Sequence, residues 1–515
     1  MNIERGLASR LWVPAGPVLC ATSAPASPLP PLEALLVSGG DTRLALDPLT
    51  GLNPYGCSAT PRLEAIDFAS STASSISHGA YLRAERTWQA LASGGAGQAD
   101  APIEAARTEL AWLLGLDAEA AVVFAPSGTD AALAALAVAR MSRSGPITCV
   151  VAAADATGRG MPNACIGRHF GTLTSRGRAV TAGDAIAGFE EVQGVAVPTH
   201  DADGARRRAA TDSAVFEAVE RAVAARHRVV LYAMDHSKLG TSCPSASCLA
   251  QIAECFGDAV QIVVDACQAR IGRIRLNRHL ALGRMVLLTG SKFFAGPPLS
   301  GALLLPPALA RIAAAGDMPV GLRDYARATD WPASFAGARA ALDPEANLGQ
   351  LLRWSAALEE MAAFYALPLA RRHAVFAAFG EAVATTIAEF DECAPVPESE
   401  APDDADDEFS ARTIFPFTLR VGDRLASPAL AGKLYRALNC DVREWLPGLR
   451  GEERRVAALC CHIGQPVTLG EAGALRVSAS ARLVREPERI EAGLRSVFAK
   501  LRLLARHRDV VERAF

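Results

Sequence analysis

Short runs of hydrophobic, mostly β-branched residues recur along the first two thirds of the chain. Between them lie longer stretches in which the hydrophobic residues have helical spacing. The short runs are typical of buried strands and the longer stretches of helices packed against them. Regular alternation of the two favours an α/β fold with a mostly parallel sheet and helices on both faces. We predict strands at 120–124, 147–154, 229–234, 260–265, 285–289 and 301–306.

The pattern changes after residue 345, where two long helical stretches come first and are followed by two strands around a helix. This change predicts a smaller α+β C-terminal domain. The chain therefore divides into a proline-rich N-terminal arm at 1–60, a large domain at 61–345 and a small domain at 346–515. We expect the arm to lie over the surface or to reach a partner subunit.

Three polar segments fall outside the predicted elements. Residues 68–81 are rich in serine and are expected to form a solvated loop, with a pocket lining as the alternative. Residues 170–212 are polar and basic and indicate an excursion from the sheet. The segment 394–408 is acidic and proline-rich, which is typical of an exposed linker or a disordered loop.

A lysine follows directly after one of the predicted buried strands. Lys292 comes between the strand at 285–289 and a turn rich in glycine and proline. Keeping a lysine charged at such a position costs free energy, which favours the neutral amine. The neutral amine is the form that condenses with a carbonyl to give an imine. A lysine on a surface loop is the alternative interpretation of this segment alone.

Two further segments favour the chemical interpretation. The strand at 260–265 ends in Asp265, and acids at the C-terminal edge of a parallel sheet face the ligand crevice. Another strand leads into Ser127, Gly128 and Thr129 at the start of an alanine-rich helix, where hydroxyl and free N–H groups suit a phosphate. A pyridoxal phosphate (PLP) site needs a phosphate cradle, an acid against the ring nitrogen and an imine lysine.

With these segments in this order, the chain resembles the fold-type I PLP-dependent enzymes. The similarity is to the class V aminotransferase group, which includes cysteine desulfurases and kynureninases. It covers roughly residues 100–490 and implies the PLP-transferase fold, PLP as the cofactor and a homodimer. It also implies an aminotransferase-like enzyme that acts on an amino acid through an internal aldimine. The alternative is a PLP-dependent lyase that catalyses elimination, decarboxylation or kynureninase-like side-chain cleavage.

The resemblance also implies roles for individual residues. Lys292 is the imine lysine and Arg476, in a C-terminal strand, grips the substrate carboxylate, with Arg482 as a competing candidate. His236 follows the strand at 229–234, where the group has polar residues, although an ordinary loop histidine is the alternative. The residue that stacks on the cofactor ring stays open within 155–163. The expected cofactor-binding residues are Ser127, Gly128, Thr129, His236, Asp265, Gln268 and Ser291.

The sequence departs from the group at two points. Ser291 stands where a histidine is common, and a serine can bind phosphate but cannot act as a second base. The cysteines after Lys292 do not lie in a loop rich in glycine and serine, which argues against a desulfurase.

Composition and missing motifs argue against several other classes of protein and binding site. The net charge of −3 gives no support for a nucleic-acid or membrane partner. The twelve cysteines are scattered without a Cys-x-x-Cys motif, which predicts reduced thiols, a cytoplasmic location and no metal site. Two prolines interrupt the apolar run at 11–21, so we interpret it as a flexible arm. Neither a dinucleotide fingerprint nor a P-loop follows a strand, which argues against a nucleotide-binding oxidoreductase or an NTPase.

Overall fold

The computed structural model describes residues 29–94, 99–142, 144–397, 406, 408–409 and 411–515. These residues form thirteen strands in two sheets, and the flexible arm predicted around 11–21 lies outside them. The strands are β1 (Ile66–Phe68), β2 (Ala121–Ala125), β3 (Ile147–Ala152), β4 (Gln193–Val197), β5 (Arg228–Met234), β6 (Val260–Ala266), β7 (Met285–Thr289), β8 (Gly301–Leu305), β9 (Cys393–Pro395), β10 (Ile414–Val421), β11 (Arg424–Leu425), β12 (Cys461–Leu469) and β13 (Ala472–Ser478).

The larger sheet has seven strands in the order β2-β8-β7-β6-β5-β3-β4. All neighbouring pairs from β7 to β4 are parallel, and β8 runs antiparallel to both β7 and β2. Successive side chains of a strand point to opposite faces, so hydrophobic side chains on both faces need cover. Val122 and Phe124 therefore face one hydrophobic core, while Val123 and Ala125 face the other.

Helices cover both faces of this sheet, which confirms the predicted α/β class. Helix α4 fills one core with small side chains, and α3 and α11 pack against the other face. The α-helices are α1 (Leu32–Leu36), α2 (His78–Gly94), α3 (Asp100–Leu114), α4 (Gly128–Ser142), α5 (Met161–Cys165), α6 (Arg208–Ala224), α7 (Ala246–Phe256), α8 (Arg273–Ala281), α9 (Pro307–Ala315), α10 (Ala336–Ala340), α11 (Leu348–Tyr365), α12 (Leu369–Ala388), α13 (Pro428–Leu438), α14 (Gly451–Ala458), α15 (Ile490–Arg506) and α16 (Arg508–Ala514).

The second sheet has the order β1-β12-β13-β10-β11, with β9 also paired to β10. Strand β1 comes from the sequence before the larger sheet and pairs in parallel with β12, so that Ile66 lies opposite Cys461. The other pairs in this sheet are antiparallel. This sheet and the helices around it form the predicted smaller α+β part.

The serine-rich segment 68–81 is not the solvated loop that we expected. Ser70 and Ser71 are almost completely buried, and helix α2 begins at His78. The Ser70 hydroxyl donates to the carbonyl oxygen of Ala479 at 2.6 Å, and the buried Arg270 donates to Ser70 at 2.9 Å. The Ser70 side chain can be buried here because these distant groups satisfy its hydroxyl.

Two other polar segments also contain more structure than the sequence indicates. The stretch 170–212 includes the edge strand β4 and the start of α6. In the acidic segment, β9 pairs with β10, and Asp406 accepts hydrogen bonds from Gly272 N and Arg275 Nε at 2.7 and 3.0 Å. Glu408 is also buried and pairs with Arg273. The described ends of this segment are thus ordered, whereas 398–405 lie outside the described residues.

Candidate active site

A cavity of about 400 Å³ lies at the C-terminal ends of the parallel strands. The loops after β2, β3, β5, β6 and β7 form its walls, and segments of the second sheet close it. Ligands of open parallel sheets bind at this edge, and the volume falls within the usual range for small-molecule sites. Seven of the nine predicted site residues line it, namely Ser127, Gly128, Thr129, Asp265, Ser291, Lys292 and Arg476.

Lys292 and Asp265 enter the cavity from adjacent strands. Strands β6 and β7 are parallel neighbours, with Asp265 opposite Leu287, and Lys292 follows the end of β7. Asp265 is 5% exposed, and its Oδ1 accepts a hydrogen bond from Cys267 N at 3.1 Å. A buried acid and a half-buried amine therefore face the same space.

The start of helix α4 is packed too closely for any side chain at residue 128. A Cβ atom placed on Gly128 would lie 2.4 Å from Cys267 Sγ and 3.3 Å from a methyl of Thr289. Gly301 on the adjacent β8 is equally tight, with a Cβ only 2.3 Å from the carbonyl carbon of Ser127. The two glycines let the backbone at the start of the helix approach the cavity and expose its N–H groups there.

Arg43 adds a positive charge beside this helix start. Its Nη2 donates to Ser127 Oγ at 2.9 Å and contacts Asp41 at 2.7 Å. Asp130, in the first turn of α4, lies 3.9 Å from the same nitrogen, and burial raises the pKa of Asp130 to about 6. Sequence reasoning missed Arg43, because nothing local in residues 1–60 indicates a contact with residue 127.

The buried Arg353 positions the chain segment that carries Arg43. Arg353 is completely buried, and its guanidinium donates to the carbonyl oxygens of Leu36, Gly39 and Leu299 at 3.1, 3.2 and 2.8 Å. Leu299 has a positive φ of 68°, a strained conformation for a branched residue. Arg353 therefore ties the segment before Arg43 to the loop that follows Lys292.

Arg476 comes from β13 and is completely buried where the two sheets meet. Its Nε donates to Gln465 O at 3.0 Å, Nη1 donates to Lys238 O at 2.9 Å, and Nη2 donates to Thr72 Oγ1 at 2.9 Å. Burial lowers the pKa of Arg476 to about 10, so it keeps its charge at neutral pH. The competing candidate Arg482 instead pairs with the buried Glu360 at 2.8 Å.

The structure does not bring Gln268 and His236 into the cavity lining. Gln268 is buried, donates to Ser71 O at 3.0 Å and accepts from Arg270 Nη1 at 2.9 Å. His236 Nδ1 lies 2.8 Å from Asp235 Oδ2. Both side chains contact neighbours inside the protein, and their predicted contact with the cofactor stays a prediction.

Lys238, two residues after His236, lines the cavity instead and was missed. Thr157, Arg159 and Met161 also line it, so the open segment 155–163 does reach the cavity. The rarity of lysine could have drawn attention to Lys238, because the chain has only four lysines among 52 lysine and arginine residues.

Two negative findings concern other kinds of site. No helix in the described ranges is long and apolar enough to cross a membrane. Within the same ranges, no group of three or more His, Cys, Asp or Glu residues could hold a metal ion.

The sequence matches no protein-family model and no curated protein. Among solved structures, it is similar to the glutamate decarboxylase domain of diaminobutyrate-pyruvate transaminase and L-2,4-diaminobutyrate decarboxylase from Vibrio parahaemolyticus. The identity is 14% over 85% of this chain and 80% of that chain, with a TM-score of 0.50. Tryptophan decarboxylase from Catharanthus roseus has 16% identity over 85% of this chain and 82% of that chain, also with a TM-score of 0.50. These likenesses confirm the predicted fold, fold type I of the PLP-dependent enzymes.

Proposed function

We propose that this chain is a PLP-dependent enzyme that acts on an amino acid and is aminotransferase-like. One observation carries the proposal. Lys292, Asp265 and the start of helix α4 line one cavity, and Arg476 reaches the same cavity from the second sheet. The fold that the chain shares with PLP-dependent enzymes supports PLP as its cofactor. We also propose that the protein is a homodimer.

The residues present fit the cofactor. The glycine at 128 leaves no room for a side chain and exposes the N–H groups at the start of α4, where the positive end of the helix dipole favours a phosphate. Arg43 adds a cation there, and Ser291 adds a hydroxyl to the cavity lining. Asp265 is the buried acid that would hold the ring nitrogen in its protonated form.

When bound, PLP supplies an aldehyde carbon that condenses with amines and a pyridinium ring that withdraws electrons from the substrate's Cα. Lys292 Nζ is the amine that would hold the cofactor at rest. Once released, the same nitrogen is the base that accepts the proton from the substrate's Cα. Arg476 would bind the α-carboxylate and so fix which substituent of Cα faces Lys292.

Product analysis tests the reaction. Protein loaded with PLP is incubated with single L-amino acids and an oxo-acid acceptor, and oxo acid, ammonia and carbon dioxide are measured. We expect exchange of the amino group, with formation of the matching oxo acid. Lys292→Ala should abolish turnover, whereas Lys433→Ala, on α13 and outside the cavity lining, should not. Release of ammonia or carbon dioxide without amino exchange would replace the aminotransferase with the lyase. A protein that binds no PLP would contradict the proposal as a whole.

A further inference from the structure

The cavity has more positive than negative groups. Among the residues that the structure describes, five basic side chains line it, but only two carboxylates do. The basic residues are Arg43, Arg159, Lys238, Lys292 and Arg476, and the acids are Asp41 and Asp265.

The proposed cofactor accounts for part of this excess. Arg43 is already paired with Asp41 and lies beside the proposed phosphate site. Lys292 and Asp265 are assigned to the cofactor itself. Arg159, Lys238 and Arg476 remain for the substrate. The α-carboxylate is assigned to Arg476, which leaves Lys238 and Arg159 as lining residues without an assigned ligand.

Lys238 is the best-defined of the two remaining cations. Its backbone N–H donates to Ala156 O at 3.3 Å, and its carbonyl oxygen accepts from Arg476 Nη1, so the loop is fixed next to the proposed carboxylate site. Within the described ranges, no carboxylate forms an ion pair with Lys238 or Arg159. Burial, together with repulsion from Arg476, Lys292 and Arg159, lowers the pKa of Lys238 to about 7.

The choice of lysine at this position is itself informative. The chain uses only four lysines among its 52 basic residues, and two of the four line this cavity. Lysine carries a compact charge on a flexible stem and can lose its proton when buried among other cations, whereas arginine stays charged. Lys238 is partly buried in the cavity wall, and an anionic ligand there would stabilise its charged form.

We propose that Lys238 and Arg159 form a second anion-binding site beside Arg476 and that the substrate is an amino acid with an acidic side chain. Arg476 takes the α-carboxylate, and the side-chain acid lies against Lys238, with the exposed Arg159 at the mouth of the cavity. This inference rests on the proposed function and adds the substrate class to it. The cavity of about 400 Å³ must also hold the cofactor, which favours a short dicarboxylic amino acid over a bulky one.

Binding of unreactive analogues tests the site without turnover. Isothermal titration calorimetry on the PLP-loaded protein compares glutarate, which has two carboxylates, with pentanoate, which has one carboxylate on a chain of equal length. We expect glutarate to bind at least about tenfold more tightly, as removal of one hydrogen-bonded charge pair implies. Lys238→Met should remove this preference, Lys238→Arg should keep most of it, and Lys433→Met serves as the control outside the cavity.

Proton uptake provides an independent readout. At pH 8 an amine with a pKa of about 7 is mostly neutral, and a bound anion favours its charged form. Glutarate binding should therefore take up protons, seen as a binding enthalpy that depends on the ionisation enthalpy of the buffer. Lys238→Met and Lys238→Arg should both lose this uptake, and the arginine variant should do so while still binding glutarate.

Three results would overturn the inference: no binding of glutarate, equal affinities for the two acids, or an unchanged preference in Lys238→Met. Each of these is distinguishable from failure of the proposed function, because PLP binding is established first by its visible absorbance. A protein that binds PLP without preferring glutarate loses only the substrate class.

Discussion

The close packing of Gly128 against Cys267 predicts that a substitution at Gly128 weakens cofactor binding and that a second substitution at Cys267 restores it. In Gly128→Ala, the new methyl group would lie 2.4 Å from Cys267 Sγ, well inside van der Waals contact. In Gly128→Ala combined with Cys267→Ala, the sulfur is gone and the nearest remaining atoms are a Thr289 methyl at 3.3 Å and the residue 267 Cβ at 3.5 Å. The φ angle of Gly128 is not positive, so alanine strains only the packing and not the backbone.

The magnitude follows from the cost of overpacking, which is about 1–3 kcal/mol for an extra methyl group in a tightly packed site. Without the cofactor, the start of α4 and the Cys267 side chain can shift into the cavity and relieve the contact. A phosphate at the start of α4 occupies that space, so the cost appears as lost affinity. We expect Gly128→Ala to weaken PLP binding roughly tenfold to a hundredfold.

A double-mutant cycle measures this effect. PLP affinity is determined by absorbance titration for the wild type, Gly128→Ala, Cys267→Ala and the double variant. We expect Cys267→Ala alone to bind nearly as well as the wild type and the double variant to recover to within about threefold, which gives a coupling energy of at least about 0.7 kcal/mol. If Gly128→Ala binds PLP normally, or if its loss persists in the double variant, the start of α4 is not the phosphate cradle.

Three further predictions concern single residues. Asp265→Asn should lower turnover by about a hundredfold or more at saturating PLP, because a preorganised charge is lost, and turnover close to that of the wild type would refute its assignment. Arg43→Met should weaken PLP binding about tenfold in the same titration and should also reduce competition by inorganic phosphate; an unchanged affinity would separate Arg43 from the phosphate. Arg353→Met should destabilise the protein by roughly 3 kcal/mol or more, because several buried carbonyl groups lose their donor. Urea unfolding of this variant and of the exposed Arg371→Met measures the difference, and equal midpoints would contradict the role of Arg353.

The parallel sheet could be predicted from the sequence because its strands are buried on both faces. The predicted strand at 260–265 matches β6, Val260–Ala266, within one residue, since its β-branched run is read directly. Strand β4, Gln193–Val197, was not predicted because it lies at the edge of the sheet and most of its residues are at least partly exposed. An edge strand leaves little periodicity in the sequence, and only its parallel pairing with β3 identifies it.

Site residues could be predicted from the sequence where a residue of suitable chemistry lies at the end of a predicted strand. Lys292 and Ser127 follow predicted strands and Asp265 ends one, which predicts all three at one edge of the sheet. Arg43 could not be found in this way, because its contact with Ser127 spans 84 residues.

Lys238 lines the cavity, whereas the predicted site residue His236 does not. Both residues lie in the loop after β5, and the side chain that enters the cavity depends on the backbone of that loop. His236 is held by Asp235, so its ring is not part of the cavity lining. The sequence favoured His236 because the resembling group has polar residues after this strand and a histidine can act as an acid or a base.

Chemical labelling of the lysine that holds the cofactor tests the proposed active site most directly. The protein is loaded with PLP, reduced with borohydride, digested and mapped by mass spectrometry. Only four lysines compete, Lys238, Lys292, Lys433 and Lys500, so the assignment is unambiguous. We predict a visible absorbance band that disappears on reduction and a pyridoxyl group on the peptide that contains Lys292. A protein that shows no such band, or a label on Lys238 with Lys292 unmodified, would contradict the assignment of Lys292 as the lysine that holds the cofactor.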